Sequence, residues 1–369
     1  MIELRANDFP SFFQAPHNAY GSDTPFVSVF DADLRRFLDP KANPLFRSGD
    51  DLSLFTALRD GRPVGRITAH VHDGANQQYG ERRASFGYFD CADDGEAASH
   101  LLGAAESWAR RRGYDGVWGP FNLTAMQQMG VVTAGFERRP YSDQVWNPPH
   151  IVSALERGGY EREFPMTSFE LDTRTASKAE TLRPEHEALV RESGIRFEAM
   201  KTRNVDRLFP ALTDVLNDGF KRNPLFVKLS QEEFAFQAKD LSWVIDPRIS
   251  CLAWEGDELV GALICIPDLN PLLRRCRSRL NAWSMVRLLV YRGQCRRAVV
   301  IFQSVKERLQ SRGVGAVLIQ QVLLALRSAN YEALGLTWVG DQNQASLAGV
   351  HRAGGRAMHR LHLYRKELR

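Results

Sequence analysis

No stretch of this sequence approaches the roughly 18 to 20 uninterrupted apolar residues that span a bilayer. Met1, Ile2, Glu3, Leu4 and Arg5 do not begin the basic segment and apolar run of a secretory leader. A cytoplasmic protein is expected, with at most peripheral contact to the inner face of a membrane. Cysteine is scarce. Cys91, Cys251, Cys265, Cys276 and Cys295 are odd in number and form no Cys-x-x-Cys pair or Cys/His cluster of zinc spacing, so they read as reduced thiols in the packing, with no metal site. An excess of one charge is missing too: the net charge is only +4, which does not call for a nucleic-acid partner.

What is present is an ordinary globular balance, 44% hydrophobic and 25% charged over 369 residues, enough for two domains with a core each. Alternation and turn signals place strands at 26–29 and 54–58, a hairpin partner at 63–71 after Asp60-Gly61, and strands at 86–89 and from Val117. Leu101, Leu102, Ala105 and Trp108 give a helix over 96–112 that stops at Gly113. Residues 171–195 are polar and read as a linker, partly helical over 184–193, between domains 1–170 and 196–369. The second half repeats the order: helix 205–220, strands 251–254 and 259–266, strand 298–305, helix 314–329, strand 334–339. Element order repeats although sequence hardly does, as after an old duplication.

A basic insertion separates two of these strands. Leu273, Cys276, Leu280, Trp283, Val286 and Val290 recur every three or four residues, with Arg274, Arg275, Arg277, Arg279, Arg287 and Arg292 between them. This is the pattern of a basic amphipathic helix. It suits a surface helix packed on its own domain, or a lid that lays Trp283 on a lipid-like substrate and rests on anionic membrane. The greasy stripe argues against a nucleic-acid groove.

The chemistry points to Gln310, Ser311, Arg312, Gly313, Val314, Gly315 and Ala316, a two-glycine loop between strand 298–305 and helix 314–329. Glycines let backbone N–H groups close on a phosphate at the positive end of a helix; the plain alternative is a strand-to-helix turn. The loop resembles the Gln/Arg-x-x-Gly-x-Gly/Ala signature of the GNAT superfamily. Asn43-Pro44-Leu45-Phe46, Phe86-Gly87-Tyr88-Phe89, Gly119-Pro120-Phe121-Asn122, Asn147-Pro148-Pro149 and Pro267-Asp268-Leu269-Asn270 extend the resemblance to a tandem GNAT group of bacterial N-acyltransferases, with which bacterial ceramide synthases are associated.

The resemblance implies an α/β (α+β) fold of two tandem GNAT-like domains, each a mixed, mostly antiparallel sheet flanked by helices. It implies acyl-CoA as a co-substrate, with no permanently bound cofactor, held by the 310–316 loop, by Val305 on the splayed strand and by Asn343. The first half carries Asp90-Cys91-Ala92-Asp93-Asp94 where the cradle would be; its acidity repels coenzyme A and leaves that half to the acceptor or to scaffolding. The tyrosine that many GNAT enzymes use as general acid is replaced by Val350, so the proton donor is unassigned.

Amide formation from a thioester needs a base for the amine and donors for the carbonyl. Asp268, Asp341 and His351 are candidates for the chemistry, and Asn122, Asn147 and Asn270 for acceptor contacts. Asp268 after Pro267 equally suits a turn or cap, His351 an exposed position, and the two first-half asparagines turns. The expected activity is long-chain acylation of a sphingoid base or similar lipidic amine. A non-catalytic acyl-CoA or lipid-binding module, or an acetyltransferase of small polar amines, are the alternatives. The aminoacyl-transferring relatives bring a helical arm for tRNA that has no counterpart here.

Overall fold

The computed structural model describes residues 1–174, 188, 191–201, 205–239, 244–279, 291 and 293–368. Asp60 and Gly61 take up φ of 52° and 77°, and this left-handed turn joins the expected hairpin. The first half begins with β1 (Ile2–Ala6), α1 (Phe9–Tyr20), α2 (Asp31–Phe37), β2 (Leu52–Arg59), β3 (Arg62–His70), α3 (Asp73–Tyr79) and β4 (Arg83–Cys91). It continues through α4 (Gly95–Arg111), β5 (Gly116–Gly119), the short β6 (Phe121–Asn122) and β7 (Gln128–Met129), β8 (Val131–Ala134), α5 (Pro149–Arg157) and β9 (Glu161–Asp172). The second half has β10 (Ile195–Ala199), α6 (Val205–Gly219), α7 (Gln231–Ala238), β11 (Cys251–Glu255), β12 (Glu258–Pro267) and α8 (Asn270–Arg275). Then come β13 (Arg297–Val305), α9 (Val314–Ser328), β14 (Ala333–Gly340), α10 (Gln344–Arg352) and β15 (Arg356–Glu367).

Residues 26–29 are not the strand that their apolar character suggests. The carbonyls of this stretch bond side chains: Arg274 Nη2 donates to Pro25 O at 3.2 Å and Ser278 Oγ to Ser28 O at 2.7 Å. The helix expected at 184–193 lies largely outside the described residues, as do Leu280, Trp283, Val286 and Val290 of the insertion.

Among the described residues thirteen strands form one sheet in the order β1-β2-β3-β4-β5-β15-β9-β14-β13-β12-β11-β10, with β8 also on β15. All pairings are antiparallel except β4 with β5 and β13 with β14. The last strands are exchanged: β15, the end of the second half, lies beside β5 of the first, and β9, the end of the first, lies beside β14 of the second. Side chains alternate along each strand, so Ala298 and Val300 of β13 face α9 while Val299 and Phe302 pack with α6. On the first half α4 buries Leu101, Ala105 and Trp108 against β3 to β5.

Candidate active site

The two parallel pairs make the site. β13 and β14 are joined from Arg297/Ala333 to Val300/Leu336, and there the pairing stops, although both strands run on to Val305 and Gly340. At the same level the β12 register slips, leaving Ile301 opposite no partner between Val300 and Phe302. A bulge bends its strand and strengthens the local twist, and here it falls where the neighbour leaves. A wedge opens between two backbones. The first half repeats the device: β4 and β5 pair only from Arg83/Gly116 to Ser85/Trp118, and β4 carries a register slip at Tyr88 and Phe89, with Tyr88 at φ 46°.

Downstream of the two wedges the halves differ. In the second, Gly313 at φ 89° is the N-cap of α9 and provides no side-chain cap, so the first N–H groups of the helix lack an internal acceptor. In the first, Asp94 caps α4 by accepting from Ala97 N at 3.1 Å and is paired with Arg59. A carboxylate of the chain itself occupies the anion position there. Around the second loop Lys306 pairs with Glu258, and Arg308 with Glu255 and Glu258, whereas exposed Arg312 has no ion-pair partner among the described residues.

The other expected loop residues are framework. Gln310 Nε2 donates to Val305 O at 2.9 Å and Gly219 O at 2.8 Å, fixing the loop to the end of β13 and to α6. Gln303 Nε2 donates to Gly315 O at 3.0 Å. Ser311 lies at φ 62°, exposed, while Val314 is buried and Ala316 half-buried. Asn343 caps α10 by accepting from Ser346 N at 3.1 Å. Val350 is buried against Gly355.

The candidates for the chemistry are scattered. Asp341 is held by Arg360 Nη1 at 2.6 Å, and these bonds keep its carboxyl below the usual carboxylate range, which makes it a weak base. His351 is exposed on α10 with its ring edge against Phe169. Asp268 is buried and saturated: it accepts from Ser142 N (2.9 Å), Ser142 Oγ (3.1 Å), Asn270 N (3.2 Å) and Arg297 Nε (3.1 Å). Asn270 Nδ2 donates to Pro140 O at 3.0 Å. Both residues therefore hold the 140–144 loop of the first half against the second.

The same loop continues across β14. Tyr141 lies on Gly335, and Gln144 Nε2 donates to Leu336 O at 2.8 Å, where β13 and β14 part. Gln144 also lines a cleft of about 670 Å³, open solvent included, between the first-half strands. Its floor and walls include Arg66, Tyr88, Asp90, Asn122, Gln144 and Asn147, with 26–29 on one side. Asn122 is bound to Tyr88 N and Gln128, and Asn147 to Val132 N and O, so each shapes the cleft as well as lining it. Asp90 is committed to Arg66 and to Tyr20.

Two features escaped sequence reasoning. One is Asp143, between the anchored Ser142 and Gln144. It accepts no hydrogen bond among the described residues and is half-buried, with burial pushing its pKa up to about 8. The other was legible: Asn43-Pro44-Leu45-Phe46 recurs as Asn223-Pro224-Leu225-Phe226. Both copies fold as the same Asx turn, Leu45 N to Asn43 Oδ1 and Leu225 N to Asn223 Oδ1, each at 3.0 Å.

No family model matches the chain. It is similar to a bacterial ceramide synthase of Caulobacter vibrioides, 26% identical over 366 residues, which span 97% of this chain and 94% of that protein. Among solved structures, a tandem GNAT protein from the clavulanic acid biosynthesis pathway superposes with a TM-score of 0.59 at 13% identity, covering 100% of this chain and 99% of its own. A GCN5-related N-acetyltransferase from Sphaerobacter thermophilus does so with a TM-score of 0.55 at 16% identity, covering 100% and 96%. The doubled GNAT fold is thereby shown.

Proposed function

We propose that this chain of tandem GNAT fold is an acyl-CoA-dependent N-acyltransferase that forms an amide on a lipidic amine, with a sphingoid base and a long-chain acyl donor as the specific pair. The observation that carries it is the parting of β13 from β14 immediately ahead of a helix whose N-cap is Gly313. The open backbone of β13 up to Val305 would receive the pantetheine arm, and the N–H groups from Gly313 to Ala316 the pyrophosphate. An anion at a helix N-terminus gains about 0.3–1 kcal/mol from the dipole alone, and Arg312 would add a charge-assisted contact. Gln310, Gln303 and Asn343 would hold this frame rather than touch the ligand. Bound acyl-CoA supplies an activated thioester carbonyl; the chain has to orient it and accept a proton from the amine.

The first half, residues 1–170, is assigned to the acceptor side, since Asp94 fills its own helix cap. The lipidic acceptor is supported by the name of the Caulobacter relative and by the arginine-rich insertion, whose start at 270–279 holds the wall of the first-half cleft. That wall is partly greasy, with Leu272 and Leu273 packed on Val27 and Phe30. No helix among the described residues is long and apolar enough to cross a membrane; cytoplasmic location with peripheral contact to anionic lipid completes the proposal.

The test joins binding to turnover. Gly313→Val puts a β-branched residue at φ 89°, a conformation such residues avoid, and should abolish acyl-CoA binding in calorimetry. Undiminished affinity overturns the cradle. Transfer to sphinganine is then compared with transfer to polyamines, amino acids and aminoglycosides, using acetyl-CoA and long-chain donors. A preference for acetyl-CoA and a small polar amine overturns the lipid assignment and leaves the acyltransferase reading standing.

A further inference from the structure

Within the acyltransferase reading on which it rests, we propose that a second cavity, between the halves, is the chamber that takes the hydrocarbon chain of the acyl donor. It encloses about 570 Å³, open solvent included. The first half contributes α3, Trp118, Phe121 and Met126, and the second half Leu225 and Leu229. α3 closes it by reaching across: Gln78 Nε2 and Tyr79 Oη donate to Phe226 O at 2.9 and 2.7 Å, and Lys228 N donates to Gln78 Oε1 at 3.3 Å.

Position joins this chamber to the second-half wedge. Ala298 and Val300 of β13 face α9, whose N-terminus is assigned to the pyrophosphate, whereas Val299 and Phe302 face α6. A pantetheine arm threaded between β13 and β14 therefore delivers its thioester toward the α6 face. There α6 ends at Gly219, against the open end of β13: a Cβ at Gly219 would meet Val305 O at 2.7 Å, and Gln310 Nε2 binds the carbonyls of both residues. The chain then turns, with Phe220 stacked on Phe226 at 5.5 Å, and brings Leu225, Val227 and Leu229 onto the chamber wall. From the other side of the wedge Trp338, two residues past the parting at Leu336, packs on the cluster that contains Leu225, Trp118 and Phe121. Both lips of the wedge thus lead to the same apolar walls.

The lining decides what the chamber takes. Arg83, Asn76 and His72 on its wall are engaged with the protein. The Arg83 guanidinium carbon lies 3.4 Å from the Trp118 ring centroid and the group pairs with Glu81; Asn76 bonds Arg83 N and O; His72 Nδ1 accepts from Ala75 N. With these groups satisfied, an apolar cavity gains by enclosing hydrocarbon. The β6–β7 ribbon separates the chamber from the first-half cleft and sorts side chains by alternation: Asn122 and Gln128 line the cleft, Phe121 and Leu123 the chamber. The acceptor's polar head and the donor's chain are thereby given walls of opposite character.

The experiment titrates the full chain by calorimetry with coenzyme A and its acetyl, octanoyl, lauroyl and palmitoyl thioesters. Each methylene withdrawn from water is worth about fourfold in affinity, so binding should tighten with chain length until the chamber is full. Ala125→Leu adds three carbons to the wall; displacing as many methylenes should weaken palmitoyl-CoA about 60-fold, while acetyl-CoA, too short to reach, stays within about twofold. Met126→Ala enlarges the chamber and should move the preference the other way, toward stearoyl-CoA; two opposite shifts cannot both come from loss of fold. Equal affinity across the series in wild type, or variants that leave palmitoyl-CoA unchanged or weaken every donor alike, overturns the chamber. So does a change that follows the chain length of the sphingoid base instead of the donor, since the cavity would then hold the acceptor's tail. Binding decides this proposal and turnover decides the reading beneath it: a chain-length effect on affinity in a protein that transfers no acyl group would leave the chamber standing and overturn the acyltransferase.

Discussion

Two carboxylates separated by one hydrogen-bonded serine have opposite surroundings. Asp268 collects four donors and Asp143 none among the described residues. The donors around Asp268 fix it in place, and through it the 140–144 loop. Asp268→Asn removes the charge facing Arg297 and turns an N–H₂ group toward donors; leaving such groups unsatisfied costs about 1–3 kcal/mol, to be read as a lower midpoint in urea. As a positioning residue for the 140–144 loop, Asp268 should also lower kcat when changed, with acyl-CoA affinity kept. A variant as stable and as fast as wild type would remove it from both roles.

At the scale of elements, the loop can cross β14 because Gly335 has no side chain. A Cβ there would meet the Tyr141 ring at 2.5 Å, closer than real side-chain contacts allow. Gly335→Ala should push the loop off the strand, reducing turnover with sphinganine while palmitoyl-CoA titrates as in wild type; equal loss of both would mean that β14 itself had been disturbed. The sequence revealed the elements that carry their own punctuation: the hairpin at Asp60-Gly61, α4 ending before Gly113, and α9 after its glycine loop. It misplaced 26–29, whose apolar residues face a cleft and α8 instead of a strand partner. Asp268, expected for the chemistry, and Asn270, expected for acceptor contacts, lie at the junction of the halves, and Asn122 lines the cleft; a residue type cannot tell whether its carboxylate is already saturated.

Over the whole molecule, acid should unfold the protein earlier than its surface would suggest. Burial lowers His17, His70 and His72 to about 4 from 6.5, and also depresses His359 and His362. The folded chain therefore holds fewer protons than the unfolded one in that window, and stability falls as pH drops from about 6.5 to about 4. Asp143 and Asp90, raised by burial, work in the other direction but are outnumbered. Calorimetry should show a melting temperature lower at pH 5 than at pH 6.5, and His70→Gln should flatten that slope. A melting temperature that rises on acidification would contradict the buried, neutral state of these rings.

The exchange of β9 and β15 sets the molecularity of folding. Each half lacks the strand that completes its own sheet, and the missing strand is the tail of the other half. Two separate copies of such a half would have to meet and trade tails, a second-order event that grows rarer as the protein is diluted. Because one backbone runs from β9 to β10, the trade is intramolecular, at an effective concentration on the order of millimolar for a short connection. A chain of two such halves thus carries its exchange partner with it, and completing the sheet does not depend on protein concentration.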